Sequence, residues 1–266
     1  MPLDHIYEDL DLNGTTIADW GDEFLSPNQK AFEEVALEYE NKKGEMMRNE
    51  YTRNQTLFEE NGYVVVARDF VPDEVAEVFT QYAIFQMINE PEIHGDSQVS
   101  GSYNKYIDTF AESLLHGCTS RVELHTGKKL IPTYSYYRVY KEGDILEDHE
   151  DRPACEISAS IMMGFSHNIT IEKCDYNFCL HGYVNGEKKY FPHSATGAVI
   201  YKGCELTHGR DRFDVGEGSY QVQVFLHYVD KNGPYAKEWA FDKRPSIGLT
   251  KETINRVYGN GTNHRY

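Results

Sequence analysis

"YYRVYKEGDILEDHEDRPACEISAS", residues 136–160, sets two strand-like runs on either side of a turn and a charged stretch. Tyr136 to Tyr140 are aromatic and β-branched, Gly143 marks a turn, and the run from Cys155 alternates in character, as strands do. The charged stretch holds His149 and Asp151 two positions apart. In extended chain, residues i and i+2 share a face, so both can address one ion while Glu150 points away. Two imidazoles and one carboxylate on a triangular face suit Fe(II) and leave positions open for oxygen and an oxidisable cosubstrate.

The third ligand must then come from a later strand. "GAVIYKGCELTHGRDRF" offers His208 at a strand end, 57 positions after Asp151, a spacing that suits a jelly roll in which early and late strands become neighbours. Other histidines compete less well. His181 and His227 lie within strand patterns, His167 falls in a turn, and His193 adjoins Pro192. A second H-x-D, His94-Gly95-Asp96, sits in a Pro, Gly and Ser-containing stretch and reads as a solvent-facing turn.

Outward from this centre the pattern stays β-rich. "TYSYYRVY", "CEISASIMMG", "YNFCLHGYV", "KKYFP", "GAVIYKG" and "SYQVQVFLHYV" are short strand runs, and Asn185-Gly186 between the third and fourth is a type I′ hairpin signal. Closely spaced strands with turn chemistry between them imply a barrel or two-sheet jelly roll. Toward the N-terminus, Ser26, Pro27 and Gln29 form a helix start, Val64 to Val66 a strand, and Pro72 opens a helix. A third helix is expected over about 105–126, and the last 25 or so residues are turn-rich and expected to wrap the surface.

Composition narrows the partners. With 43 acidic and 26 basic side chains the net charge is −17, a field that repels phosphate backbones and anionic membranes. Neither nucleic acid nor a membrane is expected as a partner. No apolar run approaches the roughly 18 residues of a membrane span. Five cysteines without a repeated C-x-x-C pair, and no signal-peptide pattern, point to a reducing, cytoplasmic setting, so the N-x-T sequons at Asn13, Asn54, Asn168 and Asn260 are discounted. "DLDLNG", Asp9 to Gly14, imitates half a calcium loop, but Trp20 stands where the bidentate Glu belongs, so it reads as a polar turn.

Three stretches in order resemble the 2-oxoglutarate and Fe(II)-dependent oxygenase superfamily, and within it the prolyl 4-hydroxylase-like members. "LFEENGYVVVARDFVPDEVAEVF" is similar to the family's opening strand and helix, "YRVYKEGDILEDHED" to its Y-x-x-G…H-x-D stretch, and "HSATGAVIYKGCELTHGR" to the strand reaching the distal His. The resemblance covers roughly residues 57–230; "HEDRPACEIS" and "QVFLHYVD" look like a microbial and viral subgroup. It implies a double-stranded β-helix (a cupin-like jelly roll), mainly β with flanking helices. It also implies Fe(II), 2-oxoglutarate and O2 as cofactors, His149, Asp151 and His208 as iron ligands, and Tyr140 as a hydroxyl donor to 2-oxoglutarate. The implied activity is hydroxylation of a C–H bond in a prolyl peptide or small molecule.

One element departs from the pattern. Many relatives carry a Lys or Arg shortly after the distal His to clamp the far carboxylate of 2-oxoglutarate, yet residues 217–223 read "EGSYQVQ". A dianion still needs a cation. Arg138 and Arg210 are the favoured replacements, with Arg212 and Arg152 behind them, Arg152 also being a partner that would orient Asp151. The expected organisation is a helical extension over 1–56, the oxygenase domain over 57–245 and a tail over 246–266. The rival readings are another cupin-type metalloenzyme and a non-catalytic jelly-roll binding protein.

Overall fold

The computed structural model describes residues 49–93, 95–166 and 178–249, with Thr253 and Arg256. The helix expected from Ser26, the Asp9 to Gly14 turn, His94 and His167 lie outside the described residues. The described chain opens with helix α1 (49–61), followed by β1 (Tyr63–Val66), α2 (Asp73–Asn89), β2 (Tyr103–Tyr106) and α3 (Thr109–Thr126). Eight strands then form the barrel: β3 (Leu130–Lys141), β4 (Leu146–His149), β5 (Ile157–Ser166), β6 (His181–Val184), β7 (Glu187–Tyr190), β8 (Ala198–Tyr201), β9 (His208–Arg210) and β10 (Tyr220–Asp230). A short helix α4 (Ala236–Trp239) and a 3-10 turn (Ala240–Lys243) follow the barrel.

Two antiparallel sheets face each other. The larger runs β1-β8-β5-β10-β3-β2 and the smaller β4-β9-β6-β7. Strands far apart in sequence become neighbours, as β4 and β9 do, so the expected jelly-roll architecture is the observed one. The Asn185-Gly186 hairpin joins β6 to β7, with φ of 53° and 79° at its two central residues, the left-handed pair that a type I′ turn requires.

The period of two in the long strands divides core from pocket. Tyr137, Val139, Val222, Val224, Leu226, Ile161 and Ile200 point outward and are buried against α2 and α3, around Phe79 and Leu115. Their neighbours Tyr136, Arg138, Gln223, Phe225 and His227 take the opposite face and point between the sheets. Close approach of α2 needs Gly164, where a Cβ would stand 2.5 Å from the Thr80 hydroxyl. The large sheet is thus a wall with helices behind it and polar chemistry in front.

The third helix starts later than expected. Residues 103–106 pair with β3 as strand β2, and the Asp108 carboxylate accepts hydrogen bonds from the Phe110 and Ala111 amides, which fixes the first turn of α3. Gly127 ends it in the left-handed conformation with φ 70°. The C-terminal segment is more than a surface wrap. Arg244 is buried and its guanidinium donates to Glu112 Oε2 at 2.9 Å and to the Thr133 carbonyl at 2.7 Å. Glu112 also accepts from the amides of Ser135 and Gly248, so one carboxylate ties α3, β3 and the tail together. Asn54, in α1, is buried and donates to His125 Nδ1 at 2.9 Å, so its sequon is structural.

Candidate metal centre

β4 and β9 lie side by side with a one-residue bulge. Leu146 is opposite Arg210, but His149 is opposite His208, so the register shifts between the two pairs. The extra residue turns His149 inward beside His208, with ring centroids 4.5 Å apart. Asp151 completes the set just beyond β4. Its Oδ1 is 3.6 Å from His149 Nε2 and its Oδ2 is 3.8 Å from His208 Nε2. One ligand atom from each of the three lies within 4.8 Å of the others. Glu150 points away and accepts from the Thr207 hydroxyl, as alternation requires.

The outer nitrogens are tied down. His149 Nδ1 donates to the Glu147 carbonyl at 2.8 Å and His208 Nδ1 to the Leu206 carbonyl at 2.7 Å, which leaves both Nε2 lone pairs facing Asp151. This is how metal-ligating imidazoles are held in the ligating tautomer. Burial opposes charge on His149, but its contacts with Asp151 and the Glu147 carbonyl outweigh burial and raise its pKa. For His208 burial wins, and the pKa falls. Burial would raise the Asp151 pKa, yet the surrounding imidazoles hold it below the usual carboxylate range. The site is a carboxylate and two imidazoles at separations too long for good hydrogen bonds and right for a shared cation. The residues present fit a divalent metal of the iron or zinc type.

The centre opens into a cavity of about 280 Å³ lined by Tyr134, Tyr136, Arg138, Phe225 and Arg152 among others. Arg138 is buried with its fork in this cavity, and its Nη1 donates to the Tyr140 hydroxyl at 3.2 Å. Its Nη2 pairs with Asp96, which also accepts from Tyr136. Asp96 is therefore a wall of the pocket and not a solvent-facing turn, because its Oδ1 is fixed by the amides of Gln98 and Val99 while Oδ2 is drawn to the guanidinium. Tyr140 is fully buried behind the cavity wall.

Arg210 also lies behind that wall, between the sheets. Its Nη1 donates to the Phe178 carbonyl, Nη2 donates to Ser160 Oγ at 3.1 Å, and Nε has no hydrogen-bond partner among the described residues. Gln221 and Gln223 occupy the stretch that lacks a cation, and their amides reach the Phe178 carbonyl at 3.3 Å and Ser160 Oγ at 2.9 Å. Arg152 does not orient Asp151. It forks onto Asp242 at 2.6 and 2.7 Å and lies over the Tyr134 ring. Arg212, against Gly143, is exposed. Neither Asp96 nor Asp242 carries a sequence signal for these roles.

This arrangement of sheets recurs among solved structures. The chain superposes on a prolyl-4-hydroxylase of Pseudomonas putida with TM-score 0.51 and 12% identity, over 67% of this chain and 99% of that one. The alpha-ketoglutarate dependent epimerase SnoN of nogalamycin biosynthesis gives TM-score 0.55 at 11% identity, over 77% and 97%. A Trichoplax adhaerens prolyl hydroxylase in complex with a hypoxia inducible factor fragment gives 0.53 at 11%, over 72% and 93%.

The fold is the double-stranded β-helix of the 2-oxoglutarate oxygenases.

No family model matches the sequence, and no curated protein matches it either. The double-stranded β-helix places the three ligands at one end of the space between its sheets, with the cavity leading away from them. Among the described residues, no helix is long and apolar enough to cross a membrane.

Proposed function

We propose that the chain is an Fe(II)- and 2-oxoglutarate-dependent dioxygenase that hydroxylates a C–H bond. The observation that carries this reading is the convergence of His149, Asp151 and His208, with both imidazoles held by backbone carbonyls in the ligating tautomer. His149, Asp151 and His208 would hold Fe(II), whose chemistry when bound is to divide the atoms of O2 between succinate, formed with loss of carbon dioxide from 2-oxoglutarate, and a hydroxylated substrate.

The chain's own residues would bind and orient. Arg138, paired with Asp96, lines the cavity and would meet the far carboxylate of the cosubstrate, with the Tyr140 hydroxyl bonded to it from behind the wall. Arg210 adds positive charge from behind; its hydrogen bonds go to Phe178 and Ser160 and to no carboxylate among the described residues. A buried guanidinium left without a counter-charge favours an anion nearby. Tyr134, Tyr136 and Phe225 would exclude water and present an aromatic wall to the reacting carbon. A cavity of 280 Å³ that must also hold a cosubstrate admits only a small molecule or one side chain of a peptide, such as a prolyl ring.

The test is anaerobic addition of Fe(II) and 2-oxoglutarate, read as the metal-to-ligand absorption band, followed by succinate release in air. The band is expected in the parent and absent from His208→Ala. A parent without the band, or a variant that keeps it, would overturn the reading.

A further inference from the structure

We propose that Asp151, Cys155 and His227 form a second transition-metal position beside the first, taking a borderline divalent cation of the zinc type. One ligand atom from each of these residues lies within 4.8 Å of the other two, the same closeness that defines the His149, Asp151 and His208 set. All three line the cavity, so the position is reached by the same route. Asp151 belongs to both sets. A carboxylate has two oxygens and can bridge adjacent cations, one oxygen to each.

Cys155 packs in a small apolar cluster with Ile107, Tyr134 and Ala154, and polar groups meet it on the cavity side. His227 is buried on the inner face of β10, its Nδ1 is 2.8 Å from Ser158 Oγ, and its ring lies 4.5 Å from Tyr134. Ser158 Oγ is also 3.3 Å from Asp151 Oδ2, so one hydroxyl links imidazole and carboxylate and fixes their relative orientation. Cys155 Sγ is 3.0 Å from the Tyr134 hydroxyl, which would stand beside a bound cation as a further oxygen. Cys155 is set by the short turn at Pro153–Cys155 directly after Asp151, so the first ligand set and the thiol are built by one stretch of chain.

Ligand chemistry selects the ion. Thiolate and imidazole disfavour calcium and magnesium, and with a carboxylate they suit zinc or cobalt. On binding, the Cys155 S–H bond breaks, the sulfur binds the metal and the proton goes to solvent. Zinc seated here would fill the part of the cavity under Tyr134 and Arg152 and share Asp151 with the iron, so it would block the substrate side of the proposed oxygenase.

The inference shares Asp151 with the proposed iron centre, and the experiment separates the two. Apo-protein prepared with a chelator and kept reduced is titrated with Co(II) and followed in the near ultraviolet, where thiolate-to-cobalt charge transfer absorbs. The parent is expected to bind two equivalents with that band. Cys155→Ser and, independently, His227→Asn should each lose one equivalent and the band. A double variant, His149→Ala with His208→Ala, should keep the band and lose the other equivalent. One equivalent and no thiolate band in the parent would overturn the second position while leaving the oxygenase reading intact. A band that survives in Cys155→Ser, or disappears in the double variant, would overturn it as well.

Discussion

Gly203 and Asp151 are joined backbone to backbone: the Asp151 amide donates to the Gly203 carbonyl at 2.8 Å, and a Cβ on Gly203 would stand 2.5 Å from Asp151 Oδ2 and 2.2 Å from the Cys155 carbonyl oxygen. The loop after β8 thus holds the ligand carboxylate in place, and only a residue without a side chain leaves room for it. Gly203→Ala is expected to lower Fe(II) affinity by about tenfold to a hundredfold, the range for disturbing a ligand's support. Metal titration monitored beside far-ultraviolet circular dichroism checks it, with the sheet signal retained.

Arg210 predicts a split between binding and stability. Arg210→Met removes a buried charge that has no carboxylate partner among the described residues. The variant should keep or gain thermal stability, since uncompensated buried charge is costly. Its KM for 2-oxoglutarate should rise by about threefold to tenfold, the loss of an attraction that acts across the cavity wall and not through a direct contact. Steady-state kinetics and a thermal melt on the same preparation decide it, and a loss of stability without a change in KM would give Arg210 a purely structural part.

The tail makes a different prediction. Arg244 and Glu112 are 2.9 Å apart, and both side chains are at most 2% exposed. Breaking a buried pair from one side leaves the other charge stranded, which costs about 3–5 kcal/mol. Arg244→Met should therefore lower the urea midpoint strongly, and Glu112→Gln should do the same because three further donors depend on that carboxylate.

His125 sets an acid limit on the apo-protein. Burial, aided by the nearby Arg121 charge, depresses its pKa from 6.5 to about 4, and its Nδ1 accepts from Asn54. The folded state keeps this imidazole neutral while the unfolded chain takes up a proton, so stability is lost as pH falls from 6.5 toward 4. The slope is at most about 1.4 kcal/mol per pH unit from this residue. Urea unfolding at pH 7 and pH 5 in the presence of a chelator should show the loss, and His125→Gln should flatten it.

Much of this was legible in the chain. H-x-D at 149–151 and the strand leading to His208 announce themselves, because alternation and turn residues are local. The fold followed from the closely spaced strand runs after Thr133. What stayed hidden is held together by distance in sequence. Asp96 meets Arg138 across 42 positions and Asp242 meets Arg152 across 90, and nothing local to either acid marks its partner. The Asp96 loop looked solvent-facing because Gly and Ser say only that a chain turns, not what the turn covers. Cys155 and His227 were similarly invisible as a pair, one in a turn and one in the last strand.

The bulge in β4 is a spare residue in the frame of the centre. Asp148 and His149 face opposite ways, the exposed Asp148 reaching the buried His181 while His149 turns toward His208. Deleting one residue between Leu146 and His149 would remove the bulge and still leave the His149 imidazole opposite His208, in an even ladder. A single-codon deletion there would thus keep the two imidazoles together, whereas the same loss at Glu150 would break the two-residue spacing that turns Asp151 to the same ion.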